Sequence, residues 1–287
     1  SIVATETSTV TFLSIPGVAY SSGDPSRNIP PGNLTFLQLA FGFVIGRILI
    51  AWFLLPQYMR GELFSVYQLL RQRFNPMVQR TASGVFLITR TLVDGLRLCL
   101  TALLIRQFTG WDISVSILAL GAVTLIYTYL GGIEAVIWTD FAQFGIYLGG
   151  ACVAAAFILH LLPGGFAEFV SVNQAADKFQ IIDLSTSPTI DYTLWAGLIA
   201  GAFVTMASHG GDQNMVQRYL CAPSLGQART ALVLSGIVVV CQFGLFLMIG
   251  LGLYALVQAG ELVVPPRTRN DEVFGIFIVT KLPSGLI

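Results

Sequence analysis

The chain has 287 residues, 55% of them hydrophobic and only 10% charged, with 15 basic residues balancing 15 acidic ones and a mean hydropathy of +0.76. Soluble domains carry about 25% charged residues, so an ordinary soluble domain is excluded; apolar stretches that fit the ~20 residues of a bilayer-crossing helix recur along the whole length, unlike a single leader at the start. The basic residues are almost all isolated arginines and form no stripe that follows a phosphate backbone, which excludes nucleic acid as a partner.

In chain order, hydropathy predicts seven spans near residues 1–20, 34–58, 80–106, 113–131, 136–162, 193–219 and 230–258. They are too long and too unalternating for barrel strands, which leaves helices as the way to satisfy the backbone in lipid. The breakers between them are a loop from Gly23 to Gly32 with three prolines, Asn75-Pro76, Gly131-Gly132, Pro163-Gly164-Gly165, Pro223 and Pro265-Pro266. Asn270 to Leu282, with Val273, Phe274, Phe277 and Ile278, is too short to span and is expected to lie along the membrane or over the bundle. Ser1 stands where an initiator methionine would, and Leu286-Ile287 close the chain without a polar tail, so the sequence is expected to be a fragment. Cys99, Cys152, Cys221 and Cys241 fit neither a disulfide framework nor a zinc knuckle and are expected to be small apolar packing residues. The cluster Arg60, Arg71, Arg73 and Arg80 puts the loop after the second span in the cytoplasm, although Arg27, Arg106, Lys178, Arg267, Arg269 and Lys281 then fall on the other side.

Two spans look interrupted. The first carries Thr5-Glu6-Thr7-Ser8-Thr9 in its middle, and the sixth runs through Thr205, Ser208, His209, Gly210, Gly211, Asp212, Gln213 and Asn214. If the architecture repeats every five spans, the first and sixth are partners, as in transporters whose broken helices bind solute and ions near the midplane. Carbonyls freed at a break, with hydroxyls, replace the oxygen shell of a small hard cation, and half-helix ends offer partial charge to a solute. The competing reading for any single hydroxyl is a bond back to a carbonyl one turn away. A Ser208/His209/Asp212 hydrolase triad is disfavoured because neighbours on a helix point about 100° apart, and His160 reads as an interfacial residue at a span end.

Arg90, Asp94 and Arg97 share one face of the third span, where each charge costs about 2.5–3.5 kcal/mol on the insertion scale; they read as an ion-pair ladder or as part of a transport path. Arg47, beside Gly42 and Gly46, is expected to be buried against carbonyls by close helix packing. Glu134 and Asp140 flank the start of the fifth span, where the ordinary role of a carboxylate is a helix cap.

The run Tyr127-Thr128-Tyr129-Leu130-Gly131-Gly132-Ile133-Glu134-Ala135-Val136-Ile137-Trp138-Thr139-Asp140, followed by Gln143, resembles the signature of the sodium:solute symporter family. Ala4-Thr5-Glu6, the stretch from Gly61-Glu62 through Tyr67 to Arg73-Phe74, and Asp212-Gln213 with Gln217-Arg218-Tyr219-Leu220 extend the likeness over nearly all of the chain. The resemblance implies an all-α, leucine-transporter-like bundle of two inverted five-helix repeats, here incomplete, with a first repeat near 1–162 and the start of a second near 193–287 in one transmembrane domain. It implies alternating access driven by sodium, with no cofactor and no enzymatic activity, in a multi-pass protein of a cell (inner) membrane. Its partners would be sodium, membrane lipid and a small organic solute. By the same resemblance the Val3 carbonyl matches a sodium ligand, Asp140 a carboxylate of the sodium path, and Thr7, Ala40, Phe43, Thr205, Ser208 and Val239 the cavity lining of sugar-transporting relatives. Where those relatives carry an acid, a tyrosine and a lysine this chain has Ala40, Ser208 and Val239, so sugar is not indicated. Candidate solute contacts are Thr7, Thr205, Ser208, His209, Asp212 and Gln213. The rivals are proton coupling through Glu6, Asp94 or His209, a membrane sensor that keeps the fold, and an intramembrane enzyme, which lacks a credible nucleophile and base.

Overall fold

The computed structural model describes residues 2–23, 31–60, 65–187, 190 and 192–283. Arg27, Gly61, Glu62 and the ends at Ser1, Leu286 and Ile287 lie outside them. Among the described residues helix is the only regular structure, as expected where backbone groups must be satisfied within their own segment.

The first span is two short helices, α1 (Ile2–Glu6) and α2 (Thr9–Tyr20), separated at Thr7 and Ser8. Ser8 adopts an extended backbone and its hydroxyl accepts the Thr11 amide, capping α2. The second span, α3 (Leu37–Leu49), passes through a π-helical turn at Ile50–Leu54 into α4 (Leu55–Met59). A short α5 (Val66–Arg73) leads to α6 (Pro76–Thr109), which opens on an Asn75 cap and ends at Gly110 in the left-handed region. The helix α7 (Ile113–Leu161) is two spans divided by a kink at Gly132, whose φ of 55° and ψ of −147° break the helix where Gly131-Gly132 predicts it. Then come α8 (Gly165–Ala175), α9 (Leu194–Thr205) with a second π-helical turn at Met206–Gly210, α10 (Gln213–Leu220), α11 (Leu225–Gln258) and, after a 3-10 turn at Asn270–Glu272, α12 (Val273–Lys281).

Four of these segments are long and apolar enough to cross a membrane: Leu37–Met59, Ile113–Gly132, Glu134–Leu161 and Leu225–Gln258. The apolar parts of the first and sixth spans, Thr11–Tyr20 and Leu194–Gly210, are shorter because both are interrupted. The 34-residue α6 has the length and carries Arg90, Asp94 and Arg97 in its middle. The protein is integral to the membrane.

Lipid supplies no hydrophobic drive between helices, so close backbone approach has to hold them. The α3–α9 contact shows it: a Cβ on Gly42 would lie 2.4 Å from the Gly197 carbonyl oxygen, one on Gly201 2.4 Å from that of Leu39, and one on Gly46 2.6 Å from that of Ala202. The central α11 packs against α2 in the same way, a Cβ on Gly250 falling 2.1 Å from the Pro16 oxygen. Around it Phe246, Leu247, Ile249, Leu253, Phe274 and Phe277 form the main core with Ala19, Ala40, Ile158 and Leu162, so the Asn270–Leu282 stretch lies over the bundle. Lys178, in the connector after α8, is buried and donates to the carbonyls of Ala19 (2.9 Å), Ser21 (2.8 Å) and Gly32 (2.8 Å), tying down the end of α2. The cysteines are unpaired, and Cys152 and Cys241 on helix surfaces and Cys221 in the turn after α10 are exposed, not packed inside as expected.

Candidate functional site

Where α1 gives way to α2, the last helical turn closes through Thr7, whose amide donates to the Val3 carbonyl at 3.2 Å and whose hydroxyl oxygen lies 3.2 Å from the same carbonyl. The same hydroxyl lies 3.0 Å from Gln242 Oε1 on α11, so the break is fixed to a neighbouring helix by a buried side-chain bond. Glu6, one residue earlier, faces the other way and pairs with the Arg47 guanidinium through Nη2. Its second oxygen lies 3.1 Å from His209 Nε2, and His209 Nε2 is 3.3 Å from Arg47 Nη2.

The two interrupted spans therefore meet. Glu6 ends α1, Arg47 stands one turn before the first π-helical turn, and His209 lies within the second. Such turns insert an extra residue and turn side chains that an unbroken helix would aim elsewhere. Arg47 and His209 are both fully buried. With the Glu6 carboxylate as the stronger acceptor, the His209 tautomer that fits carries its proton on Nε2, and its Nδ1 lies 3.0 Å from the Ser208 hydroxyl oxygen. Arg47 thus corrects the expectation of burial against carbonyls. Gly42 and Gly46 do pack closely, but a desolvated guanidinium is held by the carboxylate of another span.

The carbonyls released at the second break are also accounted for. Tyr58 donates to Gly210 O at 2.7 Å and Tyr67 to Gly211 O at 3.1 Å, while Arg229 donates to Ala51 O, freed by the first π-helical turn, at 2.9 Å. These three residues were not singled out from the sequence as parts of the site; Tyr67 lies in the family-like stretch, and that was its only signal.

The sequence-predicted site residues fall into three groups. Val3, Thr7, Thr205 and His209 gather at the meeting of the breaks; Thr205 is buried, its Cβ 2.9 Å from where a Cβ on Gly46 would be. Ala40 and Val239 are fully buried, and Phe43 packs on Phe243 with ring centres 6.2 Å apart. Ser208 is exposed and its hydroxyl bonds back to Val204 O at 3.0 Å, the local pattern that competes with a functional role. Asp212 caps α10 by accepting the Asn214 amide at 2.8 Å and pairs with Arg90 at 3.1 Å. Gln213 accepts the Val66 amide at 2.8 Å, fastening α5 to α10.

Asp140 departs from the ordinary capping role only; its assignment to the sodium path is a separate matter. Glu134 stands in the first turn of the second leg of α7, where a capping carboxylate belongs, but Asp140 lies inside the helix and pairs with Arg218 of α10. Both side chains are nearly buried, at 14% and 10% exposed. The ladder on α6 is present, Arg90–Asp94 at 2.8 Å and Asp94–Arg97 at 3.9 Å, and it reaches beyond its own helix through Arg90 to Asp212. Two ion pairs thus join α6 and α7 to the segment just past the second break. Among the described residues no group of three or more His, Cys, Asp or Glu side chains is placed to hold a metal ion.

The family model for the sodium:solute symporter family matches residues 1–287. The chain is 30% identical over 249 residues to the human (Homo sapiens) sodium/iodide cotransporter, covering 87% of this chain and 36% of that protein. It is 29% identical over 286 residues to the sodium/sialic acid symporter SiaT of Proteus mirabilis, covering 100% of this chain and 56% of the relative. The solved structure of a Na+-coupled sialic acid symporter, substrate-bound and outward-open, superposes with a TM-score of 0.87 at 28% identity over 99% of this chain and 58% of that one. The chain spans between about a third and somewhat over half the length of these relatives.

Proposed function

The chain belongs to the sodium:solute symporter family, and on that premise we propose that it forms the greater part of the transport core of a secondary symporter that couples inward sodium flow to uptake of a small organic solute across a cell membrane. The observation that carries this is the meeting of the two interrupted spans at Glu6, Arg47 and His209. An ion-pair cluster at membrane depth is costly unless the site uses it.

Sodium is assigned to the end of α1. The Val3 carbonyl and the Thr7 hydroxyl already face each other there, and hard oxygen donors at a half-helix C-terminus suit the ion. The solute is assigned to the space between the two breaks, bounded by Thr7, Thr205, His209 and Val239. The relatives' printed solutes include iodide, sialic acid, monocarboxylates and a multivitamin group, so the family alone does not select one.

The repeat division near residues 162 and 193 makes α1–α2 and α9–α10 symmetry partners, and alternating access is their joint rocking against the rest. Asp140–Arg218 and Arg90–Asp212 cross between α6 or α7 and α10; they act as a latch that sodium and solute binding releases. A ligand shifts such an equilibrium only through its differential affinity for the two states, so sodium bound at the break raises solute affinity by favouring the solute-accepting state.

The test is uptake into liposomes by the protein, expressed with all flanking sequence its gene encodes, under an imposed sodium gradient and then an equal potassium gradient. Uptake that requires sodium supports the reading. Solute movement indifferent to the cation, or none under any gradient, overturns it.

A further inference from the structure

We propose that the carried solute is an anion, a small carboxylate or a similar negatively charged group, and that Arg47 is the residue that binds its charge. The inference rests on the symport reading above and names the solute class for that same site.

The argument starts from hydrogen-bonding capacity. Arg47 is fully buried, and only its Nη2 is engaged, by Glu6 and beside His209. Nε and Nη1 have no acceptor among the described residues. The stem rests on α11 where Gly236 has no side chain, a Cβ there falling 3.1 Å from Arg47 Cδ and 3.2 Å from Nη1. Further along α11, Gln242 is 1% exposed; its Oε1 accepts from Thr7 and its Nε2 has no acceptor. The buried Tyr219 hydroxyl is likewise unmatched. Beside them opens the N-terminus of the 12-residue α2, where Ser8 covers the Thr11 amide and the helix dipole favours negative charge.

Nitrogen donors thus dominate the unmatched groups around the break. Each hydroxyl of a neutral polyhydroxylated solute accepts but also adds a donor that must itself be matched, whereas a carboxylate brings acceptors only. A cationic solute would meet the Arg47 charge head-on. A purely structural ion pair with Glu6 explains one nitrogen of the guanidinium and leaves two buried nitrogens, Nε and Nη1, unmatched, which native interiors avoid.

Charge balance supplies the link to sodium. Glu6 and Arg47 cancel, so admitting one anion leaves the buried break negative, and one sodium ion on the Val3 carbonyl, in the turn that ends at Glu6, restores neutrality. Glu6 is the fixed negative charge that makes admission of the anion depend on the cation. Its removal should free the anion from sodium, and removal of Arg47 should do the opposite, strengthening sodium while losing the anion.

The experiment measures thermal stabilisation and liposome uptake, in sodium and in potassium, with pyruvate, lactate, nicotinate and N-acetylneuraminate. Each acid is compared with its amide or methyl ester, and glucose, myo-inositol and urea serve as neutral solutes. The acids are expected to bind in sodium at least about 30-fold more tightly than their neutral counterparts. Arg47→Gln should abolish that preference while keeping or increasing stabilisation by sodium alone, which shows that the variant is folded. Glu6→Gln should bind acids in potassium about as well as in sodium. Neutral counterparts bound as well as acids, acid preference surviving in Arg47→Gln, or sodium-driven uptake of a neutral solute alone would each overturn the inference and leave symport standing. If nothing is bound or moved in sodium, the symport reading itself falls and this inference with it.

Discussion

Replacing Gly42 by alanine tests the frame that brings the two breaks together. The new methyl would sit 2.4 Å from the Gly197 oxygen, 2.8 Å from the Leu198 oxygen and 2.9 Å from the Gly201 Cα, against ordinary contact beginning at 3.4 Å. Every neighbour is backbone, so no side chain can rotate away and α3 and α9 must separate by much of an ångström. Overpacking of this kind costs about 1–3 kcal/mol; with no flexible neighbour the upper end applies, and the better helix propensity of alanine returns up to about 1 kcal/mol. A net loss of about 2 kcal/mol corresponds to a fall in Tm of roughly 4 °C or more, read by thermal unfolding in detergent. Because α3 carries Arg47 and the turn after α9 carries His209, sodium-driven uptake should fall as well. Gly84→Ala on α6, where a Cβ would meet nothing within 4 Å, is the control and should be neutral to slightly stabilising. Equal melting of the two variants, or an unchanged Gly42→Ala, would refute the close α3–α9 contact.

Three further perturbations separate parts of the account. Asp140→Asn and Arg218→Gln should each destabilise the protein by about 3–5 kcal/mol, and the double variant should cost clearly less than the two together, measured by a thermal double-mutant cycle; additive losses would mean the pair is not coupled. Thr7→Val keeps the shape but removes the hydroxyl that spans Val3 O and Gln242, so apparent sodium affinity should drop several-fold, about 1 kcal/mol, in a sodium titration of uptake, and an unchanged affinity would move the ion away from this turn. Lys178→Met leaves the carbonyls at the end of α2 without their ammonium donor and should lower stability by about 1.5–3 kcal/mol with little effect on sodium affinity; an unchanged melting temperature would count against the anchoring role.

What was legible in the sequence follows from range. The break in the first span announces itself locally, as a hydroxyl-rich run around Glu6 inside an apolar stretch, and so does the break after Thr205; their partnership follows from spacing. The division of α7 is legible because Gly132 adopts a φ of 55° that glycine accepts freely. Arg47 was misassigned because its partner Glu6 lies 41 positions earlier on another span, and no helical periodicity connects them. The ion pair of Asp140 was hidden for the same reason: Arg218 is 78 positions away, so the helix alone offered a cap and the resemblance a place on the sodium path, and neither pointed to Arg218. The polar run after Thr205 looked like one cluster but divides on folding, His209 turning into the bundle while Ser208, Asp212 and Gln213 serve a carbonyl, a helix cap and α5. Gln242 gave no signal, being one amide in an otherwise apolar helix that matters only because Thr7 meets it.

The most direct test of the central claim is solute uptake into proteoliposomes containing the protein with all its native flanking sequence, run with a sodium gradient and repeated with potassium at the same membrane potential. The account predicts uptake in sodium that collapses in potassium and in Arg47→Gln. Uptake of the same solute at equal rates in both cations would contradict it.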